Sequence, residues 1–329
     1  THVLLKKSGK NYKGLCPFHS EKTPSFTISP DKQIYHCFGC GAGGNVFKFV
    51  MEMENLSFLD VIKKLAAKCA LTLPAFESSQ PNTKLNERDT LLDINKKAQA
   101  YFIHLLKDDE GGRSARDYLK SRGFYDEKLL SDYGIGWAAP GWKDILIYLK
   151  NKGKYSGKDI SRAGLIKQKD GAEEGHYYDR FRGRIMFPFQ DIHGNPIAFA
   201  GRVIDEGEPK YMNSPETPLY VKGKHLFGLN RSREAIRKQN RVLFMEGYFD
   251  QMRAYQYGIR NTVATCGTAL TPAQAALIKN HTNRATLIFD SDSAGRAATE
   301  RGFGALLEQG LSVEVLSLPA GHDPDSFIQ

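Results

Sequence analysis

The sequence Arg241-Val-Leu-Phe-Met-Glu-Gly-Tyr-Phe-Asp250 is a short apolar run that ends in carboxylates. A second stretch, Ala285-Thr-Leu-Ile-Phe-Asp-Ser-Asp292, has the same form, with acids directly after the last apolar residue. Short apolar runs bounded by turn residues are typical of buried strands. If these two strands are parallel neighbours, their carboxyl ends hold Glu246, Asp290 and Asp292 at one edge of a sheet, where open α/β folds place their active sites.

Acids gathered at one edge repel each other unless a cation neutralises them, and carboxylate oxygens are the ligands that Mg²⁺ prefers. A third acidic turn, Asp323-Pro-Asp325, follows later in the chain. The pattern therefore indicates a divalent-metal site for phosphate chemistry. An Asp-x-Asp turn alone does not identify the enzyme, because phosphatases, glycosyltransferases and plain surface loops also carry it.

Strands and helices alternate from residue 241 onward, which predicts parallel strands joined by right-handed crossovers. Thr271-Pro272 predicts the start of one of these helices, with Thr271 as the N-cap. Further upstream, the pattern predicts two strands at 25–28 and 33–37 and helices at 46–53, 58–69, 87–107 and 115–122. Residues 177–227 have strand-like alternation interrupted by turns.

Cysteine and histidine spacing predicts a zinc site near the start of the chain. Cys16-Pro-Phe-His19 is followed, after 17 residues, by Cys37-Phe-Gly-Cys40. Two ligand pairs with this spacing are typical of a tetrahedral structural zinc, and the glycines from Gly39 onward allow the tight turns that such pairs need. A unit this small cannot bury enough apolar surface to fold alone, and a metal resolves that problem. Cys69 and Cys266 have no partner at ligand spacing and are predicted to be packing residues.

Charge and composition narrow the class of protein. The 329 residues include 46 Lys and Arg against 37 Asp and Glu, a net charge of +9. This balance fits an anionic partner such as nucleic acid, or simply a basic surface that keeps the protein soluble, and composition leaves both open. No apolar run approaches the roughly 18 residues of a membrane span, and no signal peptide is visible. Three of five cysteines within one short segment exclude a secreted disulfide scaffold and predict a cytoplasmic protein.

Two basic segments are candidates for contacts with nucleic acid. Arg180-Phe-Arg-Gly-Arg184 alternates strictly, which predicts a strand with three arginines on one face. Such a face binds phosphates or is merely solvated, and the sequence leaves both open. Residues 1–73 carry ten lysines against five acids, interleaved with aromatics, as suits single-stranded nucleic acid. Phe18 and Phe26 are predicted to be core residues, whereas the roles of Tyr35 and Phe38 stay open.

Glu246-Gly247, followed 44 residues later by Asp290-Ser-Asp-Ser-Ala-Gly295, resembles the toprim domain that bacterial primases share with topoisomerases and some nucleases. In order along the chain, the motifs are similar to those of bacterial replicative primases of the DnaG type. They are the ligand pairs at 16–40, Arg180-Phe-Arg-Gly-Arg-Ile-Met-Phe-Pro188, Lys210-Tyr-Met-Asn-Ser-Pro-Glu-Thr217, Glu246-Gly-Tyr-Phe-Asp250 and Asp323-Pro-Asp325. The resemblance covers essentially the whole chain.

The resemblance implies a multidomain fold with α/β and α+β parts. Residues 1–73 would form a zinc ribbon and residues 74–86 a linker. Residues 87–238 would form the mixed α+β, basic N-terminal subdomain of an RNA polymerase domain, and residues 239–329 a toprim subdomain with a parallel, Rossmann-like sheet. The start at Thr1 and the stop at Gln329 lead us to expect a fragment that lacks the helical end of that domain and the helicase-binding domain.

The resemblance also assigns roles to positions of this sequence. Its zinc ligands match Cys16, His19, Cys37 and Cys40, its catalytic metal-site acids match Glu246, Asp290 and Asp292, and its accessory acids match Asp250, Asp323 and Asp325. Its groove for template and nucleotide matches Arg180, Arg182, Arg184, Arg202, Lys210, Tyr211, Asn213 and Lys222. The implied cofactors are one structural Zn²⁺ and catalytic Mg²⁺ or Mn²⁺, two ions or more. Whether Glu246 is a metal ligand or a general base stays open.

The implied function is that of a DNA primase, which synthesises short RNA primers on single-stranded DNA from ribonucleoside triphosphates at the bacterial replication fork. The implied partners also include the replicative helicase, through a domain absent from this sequence, and single-strand-binding protein.

One alternative is a toprim topoisomerase or nuclease, but no tyrosine here has the recognisable setting of a topoisomerase nucleophile. The other is a zinc-ribbon binding module without activity, which the intact acids at all three turns argue against. A phage-type primase-helicase would carry a Gly-x-x-x-x-Gly-Lys-Ser/Thr loop, which this sequence lacks.

Overall fold

A computed structural model describes residues 3–19, 21, 23–54, 58–71, 83–108, 110–124, 126–169, 171, 175–267, 269–290, 293–319 and 321–328. The chain divides into two compact units, Thr1–Pro81 and Asn82–Gln329. None of the helices among the described residues combines the length and the hydropathy that a bilayer span requires.

The first unit contains an antiparallel five-stranded sheet, in the order β1-β2-β3-β4-β5, followed by two helices. The strands are β1 (Lys6–Ser8), β2 (Asn11–Gly14), β3 (Phe26–Ser29), β4 (Ile34–Cys37) and β5 (Gly43–Asn45), and the helices are α1 (Val46–Glu54) and α2 (Phe58–Lys68). The strands and helices predicted here are confirmed to within one residue at each end.

One face of this sheet is buried and the other is exposed. Phe26 and Tyr35 are almost fully buried and stack with ring centroids 5.3 Å apart, while Phe49 of α1 covers both rings. Phe18 packs against the same cluster, which confirms the prediction that it belongs to the core. Phe38, by contrast, is 75% exposed. Cys69 is exposed, so the prediction that it packs in a core is wrong.

The second unit begins with a long helix, α3 (Thr83–Lys107), so helical structure starts inside the segment expected to be a linker up to residue 86. Its buried side chains Leu91, Ile94, Ala98 and Phe102 recur every three or four residues, the spacing of one helix face. The next helices are α4 (Arg113–Ser121), α5 (Glu127–Tyr133), α6 (Asp144–Gly153) and α7 (Gly157–Arg162).

An antiparallel sheet forms the centre of the second unit, in the order β11-β10-β9-β6. Its strands are β6 (Gly136–Ala138), β9 (Arg184–Gln190), β10 (Pro196–Val203) and β11 (Tyr211–Asn213), and β7 (Ile166–Gln168) pairs separately with β8 (Tyr177–Asp179). Almost every residue of β9 and β10 is buried, because both faces are covered: Phe102 of α3 packs against Phe199 on one face, and Tyr248 stacks on Phe187 on the other.

The strand predicted at Arg180-Phe-Arg-Gly-Arg184 is wrong. β8 ends at Asp179 and β9 begins at Arg184, with an irregular turn between them. Gly183 has φ +60°, a left-handed conformation that interrupts an extended strand. The three arginines therefore do not share one strand face, and each has its own surroundings.

The C-terminal part carries the parallel sheet that the sequence predicts, in the order β13-β12-β14-β15. Its strands are β12 (Val242–Met245), β13 (Thr262–Ala264), β14 (Arg284–Leu287) and β15 (Ser312–Val315). Its helices are α8 (Leu229–Gln239), α9 (Tyr248–Gln256), α10 (Pro272–Lys279), α11 (Ser293–Glu308) and α12 (Pro324–Ile328). Thr271 caps α10 as predicted, since its hydroxyl accepts the Gln274 amide at 3.1 Å.

Helix α9 packs the carboxyl side of the parallel sheet against the four-stranded antiparallel sheet within one hydrophobic cluster. Tyr248 stacks on Phe187 of β9 with ring centroids 5.0 Å apart, and Phe249 stacks on Phe124 at 4.9 Å. Because α9 directly follows Glu246, this packing fixes the carboxyl end of β12 against the antiparallel sheet that precedes it.

Candidate metal centres and active site

The predicted zinc ligands converge. The ligand atoms of Cys16, His19, Cys37 and Cys40 all lie within 4.8 Å of one another. Zinc–sulfur bonds of about 2.3 Å in a tetrahedron place two sulfurs about 3.8 Å apart. The Cys16 and Cys40 sulfurs are 3.8 Å apart, as are the Cys37 sulfur and His19 Nδ1. This donor set fits Zn²⁺.

Backbone amides in both turns point at the sulfurs. Phe18 N lies 3.4 Å from the Cys16 sulfur, and Gly39 N and Cys40 N lie 3.3 and 3.4 Å from the Cys37 sulfur. Burial opposes ionisation of the Cys37 thiol, but the Ser25 hydroxyl and these amides outweigh it and lower its pKa to about 6. A thiolate is the form that binds a metal.

Glu21 supports the zinc site and was missed by the sequence reasoning. Its carboxylate lies 3.3 Å from His19 Nε2 and accepts the Cys16 and Ser25 amides at 2.6 and 3.1 Å. A carboxylate on the second ring nitrogen orients a ligating histidine and raises its basicity. The sequence feature that could have indicated this role is the position of Glu21, two residues after the ligand His19.

Two of the three principal acids meet at the carboxyl edge of the parallel sheet. β12 pairs with β14 in parallel, and the Asp290 amide donates to Glu246 Oε1 at 3.3 Å. Asp292, the third predicted acid, lies outside the described residues. A side chain at Gly295 would bring Cβ to 2.1 Å from the Asp290 carbonyl oxygen, so only glycine permits this close return of α11 to the strand end.

Asp250 lies in the first turn of α9, buried just behind Glu246. Its Oδ2 accepts the Gly247 amide at 2.8 Å and its Oδ1 accepts the Asp325 amide at 3.2 Å. Burial raises the pKa of Asp250 to about 7, and the negative charges of Asp290, Asp323 and Asp325 act in the same direction. A cation near these acids would favour the ionised carboxylate.

In the turn Asp323-Pro-Asp325, both acids were expected to be accessory metal-site acids, but Asp325 contacts arginines instead. Asp325 is buried, with one oxygen 2.6 Å from Arg253 Nε and the other paired with Arg122. The Asp323 carboxylate accepts the Ser326 amide at 2.7 Å at the start of α12. Asp325 thus neutralises two guanidinium groups and ties α12 to α9.

The three arginines predicted to share a strand face separate into distinct roles. Arg184 is buried and donates to the carbonyl oxygens of Gly201 and Pro209 at 3.1 and 2.8 Å, so it stabilises the β9–β10 region. The Arg182 guanidinium lies 4.1 Å from the centre of the Trp142 ring, which is 63% exposed. Arg180 reaches the Asn213 carbonyl oxygen at 3.4 Å.

The remaining predicted basic positions flank β11. Arg202 is buried between Tyr118 and Tyr211, with its guanidinium 4.7 and 5.6 Å from their ring centres. Lys210 is exposed, whereas Lys222 is half-buried and donates to the Gly267 carbonyl oxygen at 3.3 Å.

A cavity of about 430 Å³ lies beside Glu246 and is also lined by Arg180 and Lys222, and we call it the Glu246 cavity. Its lining includes Arg180, Tyr211, Asn213, Lys222, Glu246, Tyr248 and Cys266. The structure therefore brings four of the eight predicted groove residues to the same cavity as Glu246. Arg182, Arg184, Arg202 and Lys210 do not line it.

The sequence did not predict that Tyr248 and Cys266 line this cavity. The Tyr248 hydroxyl donates to Asn213 Oδ1 at 2.7 Å, and Asn213 Nδ2 donates to the Cys266 carbonyl oxygen at 3.2 Å. The Cys266 amide donates to the Glu246 carbonyl oxygen at 2.8 Å, and its backbone has φ +55°. Cys266 is buried, as predicted, and the turn it occupies shapes the wall beside Glu246.

A zinc ribbon, a four-stranded antiparallel sheet and a parallel sheet with acids at its carboxyl edge define the class of zinc-ribbon proteins that carry a toprim-like domain. Three family models agree with this class and match in order: the CHC2 zinc finger over residues 1–81, the DNA primase catalytic core N-terminal domain over 101–233, and a Toprim-like domain over 243–328. The zinc-ribbon match and the ligand cluster together support Zn²⁺, and the Toprim-like match supports a divalent metal.

The chain belongs to the DNA primase family. It is 43% identical over 329 residues to the DNA primase of Clostridium acetobutylicum and 43% identical over 335 residues to that of Listeria monocytogenes. These matches cover 99% and 100% of this chain but 53% of each relative. The chain therefore spans about half the length of the curated relatives it matches.

Solved structures give the same result. The zinc-binding and RNA polymerase domains of the Aquifex aeolicus primase match 99% of this chain and 77% of that one, with 35% identity and a TM-score of 0.67. A DnaG primase catalytic domain bound to single-stranded DNA matches 74% of this chain and 75% of that one, with 34% identity and a TM-score of 0.66.

Proposed function

We propose that this chain is the primer-synthesising part of a bacterial DNA primase, which joins ribonucleotides on a single-stranded DNA template. One observation carries the proposal: Glu246 and Asp290 meet at a sheet edge that opens onto a cavity lined by Arg180 and Lys222. Acids that suit divalent cations and bases that suit phosphates thus lie side by side, as nucleotidyl transfer requires.

Glu246 and Asp290 would hold the catalytic divalent cation, Mg²⁺ or Mn²⁺, with Asp292 as the third acid by sequence. Asp250 and Asp323 would act as accessory acids, and two or more ions are expected. A bound divalent cation neutralises the charge that develops on the leaving pyrophosphate. We assign Glu246 to metal binding, because its carboxylate lies at the sheet edge that also carries Asp290. Arg180 and Lys222 would bind the incoming triphosphate through charge-assisted hydrogen bonds.

Template DNA would follow the aromatic and basic surface near Trp142. The Trp142 ring is 63% exposed and packs edge-on against Tyr178, with Arg182 over its face. Exposed aromatic rings and guanidinium groups stack on unpaired bases without sequence preference. The related catalytic domain whose structure contains single-stranded DNA agrees with this class of ligand.

The exposed face of the zinc-ribbon sheet would help to select the template. Lys6, Lys13, Thr27 and His36 face the same side of β1 to β4, because they occupy paired positions across the sheet. The exposed Phe38 ring lies edge-on to His36 at 4.7 Å. Contacts with the replicative helicase and with single-strand-binding protein are proposals for the longer protein.

Two variants test the catalytic assignment. Glu246→Gln and Asp290→Asn remove one charge each and should lower dinucleotide formation from labelled ribonucleotides by about 100-fold or more. Binding of single-stranded DNA, followed by fluorescence anisotropy, should stay within about twofold, because the template surface is unchanged. Glu308→Gln, an exposed position on α11, is the matched control and should keep wild-type activity.

Full activity in either acid variant would refute the assignment. DNA cleavage or relaxation by the wild-type protein, without primer formation, would favour the toprim topoisomerase or nuclease alternative.

A further inference from the structure

A second cavity opens at the same sheet edge, beside Asp290. Its volume is about 420 Å³, against about 430 Å³ for the Glu246 cavity. We call it the Asp290 cavity; its lining includes Asp290, Arg296, Thr299, Glu300, Leu316 and Ser317. The Glu246 cavity lies at the ends of β12 and β13, and the Asp290 cavity lies at the ends of β14 and β15. Because β12 and β14 are neighbours, the two cavities flank Glu246 and Asp290.

The walls of the Asp290 cavity suit the flat ring of a nucleobase. Arg296, Thr299 and Glu300 are spaced three and four residues apart and so share one face of α11. Opposite them, Val315 and Leu316 are 49% and 50% exposed and present an apolar surface. An apolar wall facing a planar guanidinium and a few hydrogen-bonding groups is the usual environment for a stacked base.

The two cavities differ in charge. The Glu246 cavity contains Arg180 and Lys222, which suit the high negative charge of a triphosphate. In the Asp290 cavity Arg296 is accompanied by two acids, Glu300 on the same helix face and Asp290 at the strand end. A site without excess positive charge suits a base and sugar better than a triphosphate.

We propose that the Asp290 cavity binds the nucleotide that supplies the 3′-hydroxyl, while the Glu246 cavity binds the incoming triphosphate. That first nucleotide is the initiating ribonucleotide in the first step and the last residue of the primer afterwards. Its 3′-oxygen forms the bond to the α-phosphorus, the bond from that phosphorus to the bridging oxygen breaks, and pyrophosphate leaves with the electron pair. The hydroxyl proton passes to solvent water. This assignment rests on the proposed primase function.

Two tryptophan substitutions, one at the start of β15 and one just past its end, test the assignment. Ser317 and Ser312 are both exposed, but only Ser317 lines the Asp290 cavity. Ser317→Trp places an indole in the cavity, and Ser312→Trp is the matched control at the start of β15. The assay is dinucleotide formation on single-stranded templates that direct two different nucleotides, with a nucleoside monophosphate in the first position. Because the monophosphate has no pyrophosphate to lose, it serves only as the 3′-hydroxyl donor.

Ser317→Trp should raise the KM for the 3′-hydroxyl donor by about tenfold or more, since a filled pocket removes binding in the ground state and transition state alike. The KM for the incoming triphosphate should stay within about twofold. Ser312→Trp should leave both values unchanged, and thermal unfolding of both variants should match the wild type.

If only the KM for the incoming triphosphate increased, or if neither KM changed, the assignment would be overturned while the proposed primase activity would stand. A wild-type protein that forms no dinucleotide would refute the proposed function and therefore also this assignment of the two cavities.

Discussion

The ion pair between Arg253 and Asp325 should be a main source of stability in the second unit, and Asp325→Asn tests this. Both side chains are almost fully buried, at 2% and 5% exposure, and Arg253 Nε lies 2.6 Å from Asp325 Oδ1. Arg253 also lies 4.3 Å from the centre of the Phe124 ring. The substitution leaves a guanidinium inside the protein without its counter-charge.

The expected loss is about 3 kcal/mol. Breaking a buried pair by removing one partner typically costs about 3–5 kcal/mol, because the other charge stays desolvated. The lower end applies, since Arg253 keeps carbonyl acceptors at Gly123 and Arg122 and the Gln256 side chain at 3.2 Å. In the Arg253→Met, Asp325→Asn double variant no charge of the pair remains, so its loss should be about 2 kcal/mol smaller than the sum of the single losses.

Urea unfolding followed by tryptophan fluorescence measures this loss in the full chain. The sequence contains two tryptophans, Trp137 and Trp142, and both belong to the second unit, so the signal reports that unit. Glu314→Gln provides the matched control, because Glu314 pairs with Arg241 at 2.8 and 3.0 Å but is 55% exposed. An exposed pair contributes about 1 kcal/mol or less.

The measurement is made in EDTA and repeated with Mg²⁺, because a structural ion pair contributes in both conditions whereas a metal ligand contributes only when the ion is present. A loss below about 1 kcal/mol for Asp325→Asn, or strict additivity in the double variant, would refute the reasoning. A loss that is present only with Mg²⁺ would instead return Asp325 to the metal-site acids.

Two further predictions concern the zinc site and pH. Glu21→Gln should weaken Zn²⁺ binding by about 10- to 100-fold, measured by competition with a chromogenic chelator, because the His19 ring loses its orienting carboxylate; wild-type affinity would contradict the role of Glu21. Burial raises the pKa of Asp179 to about 6, although the Ile145 and Leu146 amides bind its carboxylate. Between about pH 4 and 6 the folded state then holds a proton that the unfolded state has lost, so this residue makes stability fall as pH rises. Asp179→Asn should flatten that slope in urea unfolding at several pH values, and an unchanged slope would contradict the assignment.

Local patterns predicted those parts of the molecule that depend on neighbours in the chain. The zinc ligands lie in two tight turns, so their spacing alone brings each pair together. Glu246 and Asp290 lie at the same sheet edge, as expected, because parallel strands present their carboxyl ends at one edge. Thr271 likewise caps α10 through a contact three residues away.

The arginine segment shows where such reasoning fails. Alternation in Arg180-Phe-Arg-Gly-Arg184 is the pattern of a strand, yet Gly183 takes a left-handed conformation and the chain turns there. Arg184 then enters the interior to bind carbonyl groups, whereas Arg182 stacks on an exposed ring. A five-residue pattern contains no information on which partners tertiary packing will supply.

By itself the sequence determined the zinc ligands, the parallel sheet and the edge at which Glu246 and Asp290 lie, because ligand spacing and hydrophobic periodicity act over short distances. Only the tertiary structure decided the role of each charge. Asp325 meets Arg253 and Arg122 across 72 and 203 residues, and Asp290 lies between two cavities built from separate elements. Burial determines whether a carboxylate binds a cation or neutralises an arginine, and burial follows from the packing of distant segments.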